Sequence, residues 1–282
     1  METWRGTWVG RFLLASWAGL SLVITSLLIL GAAPFLGGRR AFYRMGGGWT
    51  RLFFPFAGVE LDEAGWEDLP EAIRSGTQPA LFMSTHESNL DPPALIRVIR
   101  VPAVFISKQE LKLVPLVGWA AWIGGTIFID RGNRERSRKS LQAAADQIRS
   151  GKTVAVFPEG TRTRTGELGP FKKGVFALAM EAGVPVVPVA AVGGFRILPA
   201  GRLAARPGRY VVRFGAPLQP TDFATKEALL EAVRSSVEDL RAGALRLQEA
   251  REAREPLGEV QDFSGGRHRS LRGVHSRRVG RR

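Results

Sequence analysis

Two short segments of this chain combine residue types that can move a proton with residue types that can hold an anion. The first is Ala80-Leu-Phe-Met-Ser-Thr-His86-Glu-Ser-Asn-Leu-Asp91-Pro-Pro. An apolar strand ends at Thr85, polar residues follow at once, and Asp91 stands before Pro92 and Pro93 as the N-cap of a helix. On one continuous helix, residues five apart point about 140° away from each other, too far to pair. With a turn between strand and helix, the Asp91 carboxylate can hold one imidazole nitrogen of His86 while the other faces a substrate. That is the base and orienter of a catalytic triad without its nucleophile. The second segment is Thr153-Val-Ala-Val-Phe157-Pro-Glu159-Gly160-Thr161-Arg162, again a strand running into a polar turn. Gly160 lets backbone approach a ligand, Thr161 adds a hydroxyl donor, and Arg162 carries the fork that suits a phosphate. Each segment also has a plainer reading: Asp91 as a cap only, His86 as a loop residue, Glu159 and Arg162 as a surface pair. Taken singly, the segments leave both readings open.

Two further stretches belong with them. Ser107-Lys108-Gln-Glu-Leu-Lys-Leu-Val-Pro115-Leu-Val-Gly118 is a charged lead into an apolar run that ends in Trp119 and Trp122. It fits a plain core helix, and it also fits a hydrophobic wall with one Lys at its mouth. Gly125-Thr-Ile-Phe-Ile-Asp130-Arg131 is another strand ending in a charged pair.

Composition removes several chemistries. The chain has no cysteine, which excludes disulfides, thiolate zinc sites and a Cys nucleophile together. Of its three histidines, His268 and His275 lie in an Arg-rich tail, so a His-based metal cluster is not expected. The formal net charge is +14, and residues 267–282, with seven Arg and no acid, hold half of it. A basic balance of this size attracts nucleic acid or a phospholipid surface. The N-terminus decides for lipid.

No residue from Phe12 to Gly38 is charged, long enough for the roughly 20 residues that cross a hydrocarbon core. A secretory signal peptide fits less well, because the apolar region is too long and no clean cleavage site closes it. Gly31 and Pro34 could bend the run, so insertion into one leaflet stands beside a full span. Residues 39–56 interleave Arg with Trp, Tyr and Phe, as membrane-interface segments do. Arg39, Arg40, Arg44 and Arg51 outnumber Arg5 and Arg11, which would leave the following domain in the cytoplasm.

The middle of the chain alternates β-rich and helix-like runs. Strands are expected at 56–61, 80–85, 101–106, 125–130, 153–157, 186–192 and 210–214, with helices near 92–100, 110–122, 133–149 and 171–182. This pattern predicts an α/β fold, a mixed sheet covered by helices. A terminal amphipathic helix should run from about 223 to 254, with Leu229, Leu230, Val233, Val237 and Leu240 at helical spacing. Three regions follow: a membrane-associated helical segment (1–55), the main domain (56–255) and an aperiodic Arg-rich tail (256–282), expected to be disordered.

Together these segments resemble the glycerolipid acyltransferases, most closely the 1-acyl-sn-glycerol-3-phosphate acyltransferases. The family's His-x4-Asp pattern is His86…Asp91, its second block resembles Phe128-Ile-Asp130-Arg131, and its Glu-Gly-Thr-Arg block is Glu159–Arg162. The Val-Pro-Val-Val-Pro-Val block stands at 184–189, and Lys-x-Glu-Leu-x3-Pro-x2-Gly runs from Lys108 to Gly118. His-x4-Asp alone is weak, but five blocks in family order over roughly residues 56–215 are specific. The resemblance implies that His86 is the general base on the sn-2 hydroxyl of lysophosphatidic acid and that Asp91 fixes its tautomer. It implies that Lys108 and Arg162 bind the acceptor phosphate with Arg131 as a helper, and that Glu159 and Gly160 shape the acceptor pocket. The substrate hydroxyl would stand where a hydrolase has its Ser, which accounts for the absence of a G-x-S-x-G elbow. The acyl donor would be a thioester of acyl carrier protein or coenzyme A, with no metal or other cofactor, and the product phosphatidic acid. Another acceptor, glycerol-3-phosphate or a different lyso-lipid, would share the phosphate-binding residues. A non-catalytic membrane-anchored protein that binds anions through its tail is the rival from a different class.

Overall fold

The uncharged N-terminal run folds as one long helix, α1 (Trp8–Leu36), in a computed structural model that describes residues 7–130, 132 and 134–254. Thr7 Oγ1 caps it by accepting from the Gly10 amide at 3.0 Å. Gly37, at φ +77°, makes the corner into α2 (Gly38–Ala57), which runs back along α1. Side chains fix that pairing: Trp49 Nε1 donates to Ser21 Oγ at 3.0 Å, and the Trp17 and Phe56 rings meet in a tilted contact with centres 4.1 Å apart. Gly58 adopts the left-handed conformation that ends α2. The first strand therefore begins at Val59, and Phe56, expected in a strand, is helical.

Seven strands form one sheet: β1 (Val59–Ala64), β2 (Leu81–Ser84), β3 (Ala103–Lys108), β4 (Ile127–Ile129), β5 (Thr153–Val156), β6 (Val186–Val192) and β7 (Gly208–Phe214). Their order is β1-β7-β6-β2-β5-β3-β4, and every neighbouring pair is parallel except β6 with β7. The sheet is mixed and covered by helices, as the alternation of elements predicts. β2, β5 and β6 are buried at every position, which explains why they read as continuous apolar runs with no alternation.

The connections are α3 (Glu71–Arg74), α4 (Asp91–Val98), α5 (Val117–Ile123), α6 (Arg134–Arg149), α7 (Lys173–Ala182), α8 (Gly194–Ile197) and α9 (Lys226–Arg254). The single helix expected over 110–122 is two pieces, a 3-10 turn at Gln109–Leu113 and then α5. Pro115 is the reason, because inside a helix it would lack a donor and clash with the carbonyl of Leu111. Alternate residues of the central strands feed two cores. Phe82, Val187 and Tyr210 face a core built with Leu14 of α1, Phe53 and Phe54 of α2 and Leu95 of α4. Leu81, Met83 and Val186 face another built with Ile148 of α6, Phe176 of α7 and Leu229, Val233 and Val237 of α9. The expected terminal helix thus presents its apolar stripe to the sheet. Residues 256–282, expected to be disordered, lie outside the described residues, as do His268 and His275.

β2, β5 and β3 are adjacent and parallel, so their carboxyl ends open on one edge. His86 follows β2, Phe157 to Arg162 follow β5, and Lys108 ends β3. Crevices at the carboxyl ends of parallel strands are where α/β sheets usually bind ligands.

Candidate functional site

His86 and Asp91 meet. The carboxylate Oδ2 lies 2.7 Å from His86 Nδ1 and also accepts from the backbone amides of Glu87 at 2.7 Å and Ser88 at 2.8 Å. Local sequence explains why it is free to do so. Asp91 is the first residue of α4, not its N-cap, which is Leu90. Pro92 and Pro93 have no amide hydrogens, and the Ala94 amide bonds to Leu90 O, so no helix amide competes for the side chain. The carboxylate folds back over the preceding turn instead. Asp91 is fully buried, whereas the His86 side chain keeps 18% of its surface exposed. With Nδ1–H donated to Asp91, the Nε2 lone pair is the free one.

Four further residues tighten this pair, and sequence reasoning assigned none of them to the site. Tyr210 of β7, wholly buried, donates its hydroxyl to Asp91 Oδ1 at 2.5 Å. Burial, reinforced by the Asp91 charge, holds this phenol well above its ordinary value, so it stays a donor. Phe157 stacks on the imidazole at 4.0 Å with 15° between the rings. Gly194 leaves room for the pair, since a Cβ there would stand 3.0 Å from Asp91 Oδ1 and 2.8 Å from Ser88 Cβ. Asn89 Oδ1 accepts from Arg162 Nη1 at 2.8 Å, joining the two polar turns. Asn89 was legible inside the His-x4-Asp block. Tyr210, more than a hundred residues away in sequence, carried no signal beyond being an aromatic in a strand.

The Glu159 loop grips His86 by its backbone. Glu159 Oε1 accepts from the His86 amide at 2.8 Å, and the His86 carbonyl accepts from the Thr163 amide at 2.9 Å. Glu159 Oε2 accepts from the Gly169 amide at 2.9 Å. The resemblance groups Glu159 with the substrate-binding residues, but both its oxygens are committed to backbone donors and the side chain is buried. It is a scaffold that sets the height of His86. Gly160, at φ +71°, provides the left-handed turn after which Thr161 and Arg162 line the cavity described below.

A cavity of about 750 Å³ lies in front of His86. Lys108, Gly160, Thr161 and Arg162 are among its lining residues, and most of the rest are apolar, including Leu14 and Ile29 of α1 and Trp49 and Phe53 of α2. The sequence-expected residues His86, Lys108, Gly160, Thr161 and Arg162 therefore share one space, with Asp91 directly behind the imidazole. Asp130 instead ends β4 by accepting from the Gly132 amide at 2.9 Å and pairing with Arg136 at 3.3 Å. Arg131, expected as a helper at the phosphate, lies outside the described residues. Among the described residues no group of three or more His, Asp or Glu is arranged to hold a metal ion. A histidine base that shares a largely apolar cavity with two cations can deprotonate a hydroxyl on an amphiphile whose anionic head sits against Lys108 and Arg162.

Glu87 adds a titrating group behind the site. Its Oε2 accepts from the Gly193 and Phe195 amides, both at 3.1 Å, and so tethers the start of α8. Burial pushes its carboxyl from 4.5 up to about 7, with the Asp91 charge adding to the effect, against those two amides and Arg241. A raised carboxyl favours the fold at low pH. The benefit is complete below about 4.5 and is lost as pH rises through about 7, on the order of 3 kcal/mol in all. Glu87→Gln keeps an acceptor for both amides and never ionises. The variant is expected to match the parent in thermal denaturation at pH 4 and to exceed it at pH 8.

Residues 63–192 match the acyltransferase family model. Curated relatives include the chloroplastic 1-acyl-sn-glycerol-3-phosphate acyltransferase BAT2 of Brassica napus, 34% identical over 190 residues (65% of this chain, 53% of that one). They also include the human 1-acyl-sn-glycerol-3-phosphate acyltransferase beta, 39% identical over 147 residues (50% of each chain). The chain spans about half the length of these relatives. Among solved structures, the 1-acyl-sn-glycerophosphate acyltransferase PlsC from Thermotoga maritima superposes with a TM-score of 0.72 at 25% identity, covering 85% of this chain and 96% of that one.

Proposed function

We propose that this chain, which is similar to the acyltransferase family over residues 63–192, transfers an acyl group from a thioester to the sn-2 hydroxyl of 1-acyl-sn-glycerol-3-phosphate. The observation that carries this reading is the His86–Asp91 pair on a largely apolar cavity that Lys108 and Arg162 also line. His86 Nε2 takes the hydroxyl proton as the oxygen attacks the thioester carbonyl. The tetrahedral intermediate then collapses, the C–S bond breaks, and the thiolate leaves with that proton. Asp91 holds the tautomer and stabilises the imidazolium formed on the way. The products are phosphatidic acid and the free thiol of acyl carrier protein or coenzyme A. Purified protein given lysophosphatidic acid and either thioester should form phosphatidic acid. Glycerol-3-phosphate and lyso-lipids without the phosphomonoester should react far more slowly, and a preference for any of these would replace the acceptor named here.

Two variants test separate parts of this arrangement. Arg162→Ala should raise the acceptor KM by roughly 10–150-fold, the loss of one charged hydrogen bond of about 1.5–3 kcal/mol. Its effect on kcat should be small, because the phosphate is bound equally before and during reaction. Tyr210→Phe removes a donor from the Asp91 carboxylate. The freed charge favours the imidazolium, so the acid limb of kcat/KM should move to higher pH. A variant that lost activity by misfolding would fall in amplitude with its pH profile unmoved.

One helix among the described residues, α1, is long and apolar enough to cross a membrane, with a mean hydropathy of 2.2. Its buried positions run from Gly10 to Ile29, about 28 Å of axis, against α2 and the rest of the domain. That coverage supports α1 and α2 lying in one leaflet, since a vertical span would draw the domain into hydrocarbon. The Arg excess after α1 supports a cytoplasmic position for the domain.

A further inference from the structure

The segment between β3 and β4 turns four large apolar side chains outward. Leu113 is 79% exposed, Trp122 57%, Trp119 50% and Val114 43%, all within ten residues. Scattered exposed apolar residues are ordinary, but two Trp, a Leu and a Val on one short hairpin form a patch. The hairpin is not loose. Leu116 adopts φ +62° and ψ −58°, and the Val117 amide closes a tight turn onto Pro115 O at 2.7 Å. A Cβ on Gly118 would fall 2.2 Å from Leu111 O, so α5 is pressed onto the 3-10 turn. Its inner side, Leu111, Val117 and Ala121, lines the cavity.

The hairpin also continues a larger surface. Ala120 packs with Ile29 of α1 and Ala41 of α2, and a Cβ on Gly38 would stand 2.1 Å from Ile123 O. α1 itself leaves Ile24, Leu27 and Leu28 about half exposed. Lys112 Nζ sits 5.3 Å from the Trp122 ring centre, the cation-over-indole pair suited to a headgroup layer, and Glu110 is the one acid between residues 103 and 129. A bilayer surface accepts this combination: apolar tips, indoles with a polar edge, and a lysine reaching back to phosphate.

We propose that the hairpin of residues 109–123 is a second membrane-contacting element, carried by the catalytic domain itself, which dips Leu113, Trp119 and Trp122 into the leaflet beside α1. The opening of the cavity then faces acyl chains on two sides, α1 and the hairpin. This rests on the membrane reading of α1 given above.

Because the chain has no cysteine, single-cysteine variants of the full protein give unambiguous labels. Leu113→Cys, Trp119→Cys, Ile24→Cys on α1 and Ser235→Cys on α9, on the opposite face of the sheet, are each labelled with an environment-sensitive fluorophore. They are then reconstituted with phosphatidylcholine–phosphatidylglycerol vesicles, with and without bromine on the acyl chains. The labels at 113 and 119 should lose emission to brominated lipid as strongly as the label at 24 and be shielded from aqueous iodide. The label at 235 should show the reverse. Quenching at 24 with iodide-accessible labels at 113 and 119 would overturn the hairpin proposal and leave the α1 reading standing. No lipid quenching at any site would overturn both, and equal quenching at 235 would show that the contact is not specific to this face.

Discussion

His86→Ala is expected to lower turnover by about 10²–10⁴-fold, the contribution of a positioned general base. The structure makes the substitution unusually interpretable. The imidazole stacks on Phe157, but the backbone at this position is held independently, by Glu159 on the amide and by Thr163 on the carbonyl. Removing the ring should leave the turn in place. The acceptor KM should change little, because Lys108 and Arg162 are untouched. The comparison is made in a steady-state assay following thiol release, with the melting temperature recorded alongside. Transfer near the parent rate would show that the hydroxyl is activated by another group.

Asp91→Asn should cost as much or more, approaching the roughly 10⁴-fold seen when an orienting carboxylate is replaced by its amide. The carboxylate receives four donors: the His86 ring, two backbone amides and the Tyr210 hydroxyl. An amide nitrogen placed at either oxygen position turns an attraction into a donor facing a donor. If the NH2 group takes the Oδ2 side, it opposes the Glu87 and Ser88 amides and forces His86 to accept at Nδ1, which is the wrong tautomer. If it takes the Oδ1 side, it opposes Tyr210, and the imidazolium still lacks its countercharge. Either way kcat falls. Part of the loss should appear as lower thermal stability, because the site is wholly buried and leaves a donor unpaired. A variant with unchanged stability and near-normal kcat would remove Asp91 from the mechanism.

Local pattern located the His86–Asp91 turn, the Gly160 corner and the strands that carry them, because each depends on neighbours in sequence. The apolar runs of β2, β5 and β6 marked the sheet centre, and Leu229, Val233 and Val237 marked the stripe of α9. Three features escaped because they are settled by tertiary contact. Asp91 reads as an N-cap, yet the two prolines after it release its carboxylate for the imidazole. Glu159 reads as a pocket residue, yet its oxygens meet amides at residues 86 and 169, and only the assembled sheet brings those together. Tyr210 reads as one more strand aromatic, and its role depends on β7 reaching Asp91 from across the sheet. The first strand starts later than expected because Gly58 ends α2, and the helix expected over 110–122 is split at Pro115, a matter of backbone geometry that hydrophobic pattern does not register.

α1 supplies one wall of the cavity as well as an exposed apolar face. If the proposed membrane reading of α1 holds, attachment and the substrate chamber share the same 29 residues. Trimming them to obtain a water-soluble protein would breach the chamber: the proton-transferring pair would survive, but solvent would flood the place where a hydrocarbon tail belongs.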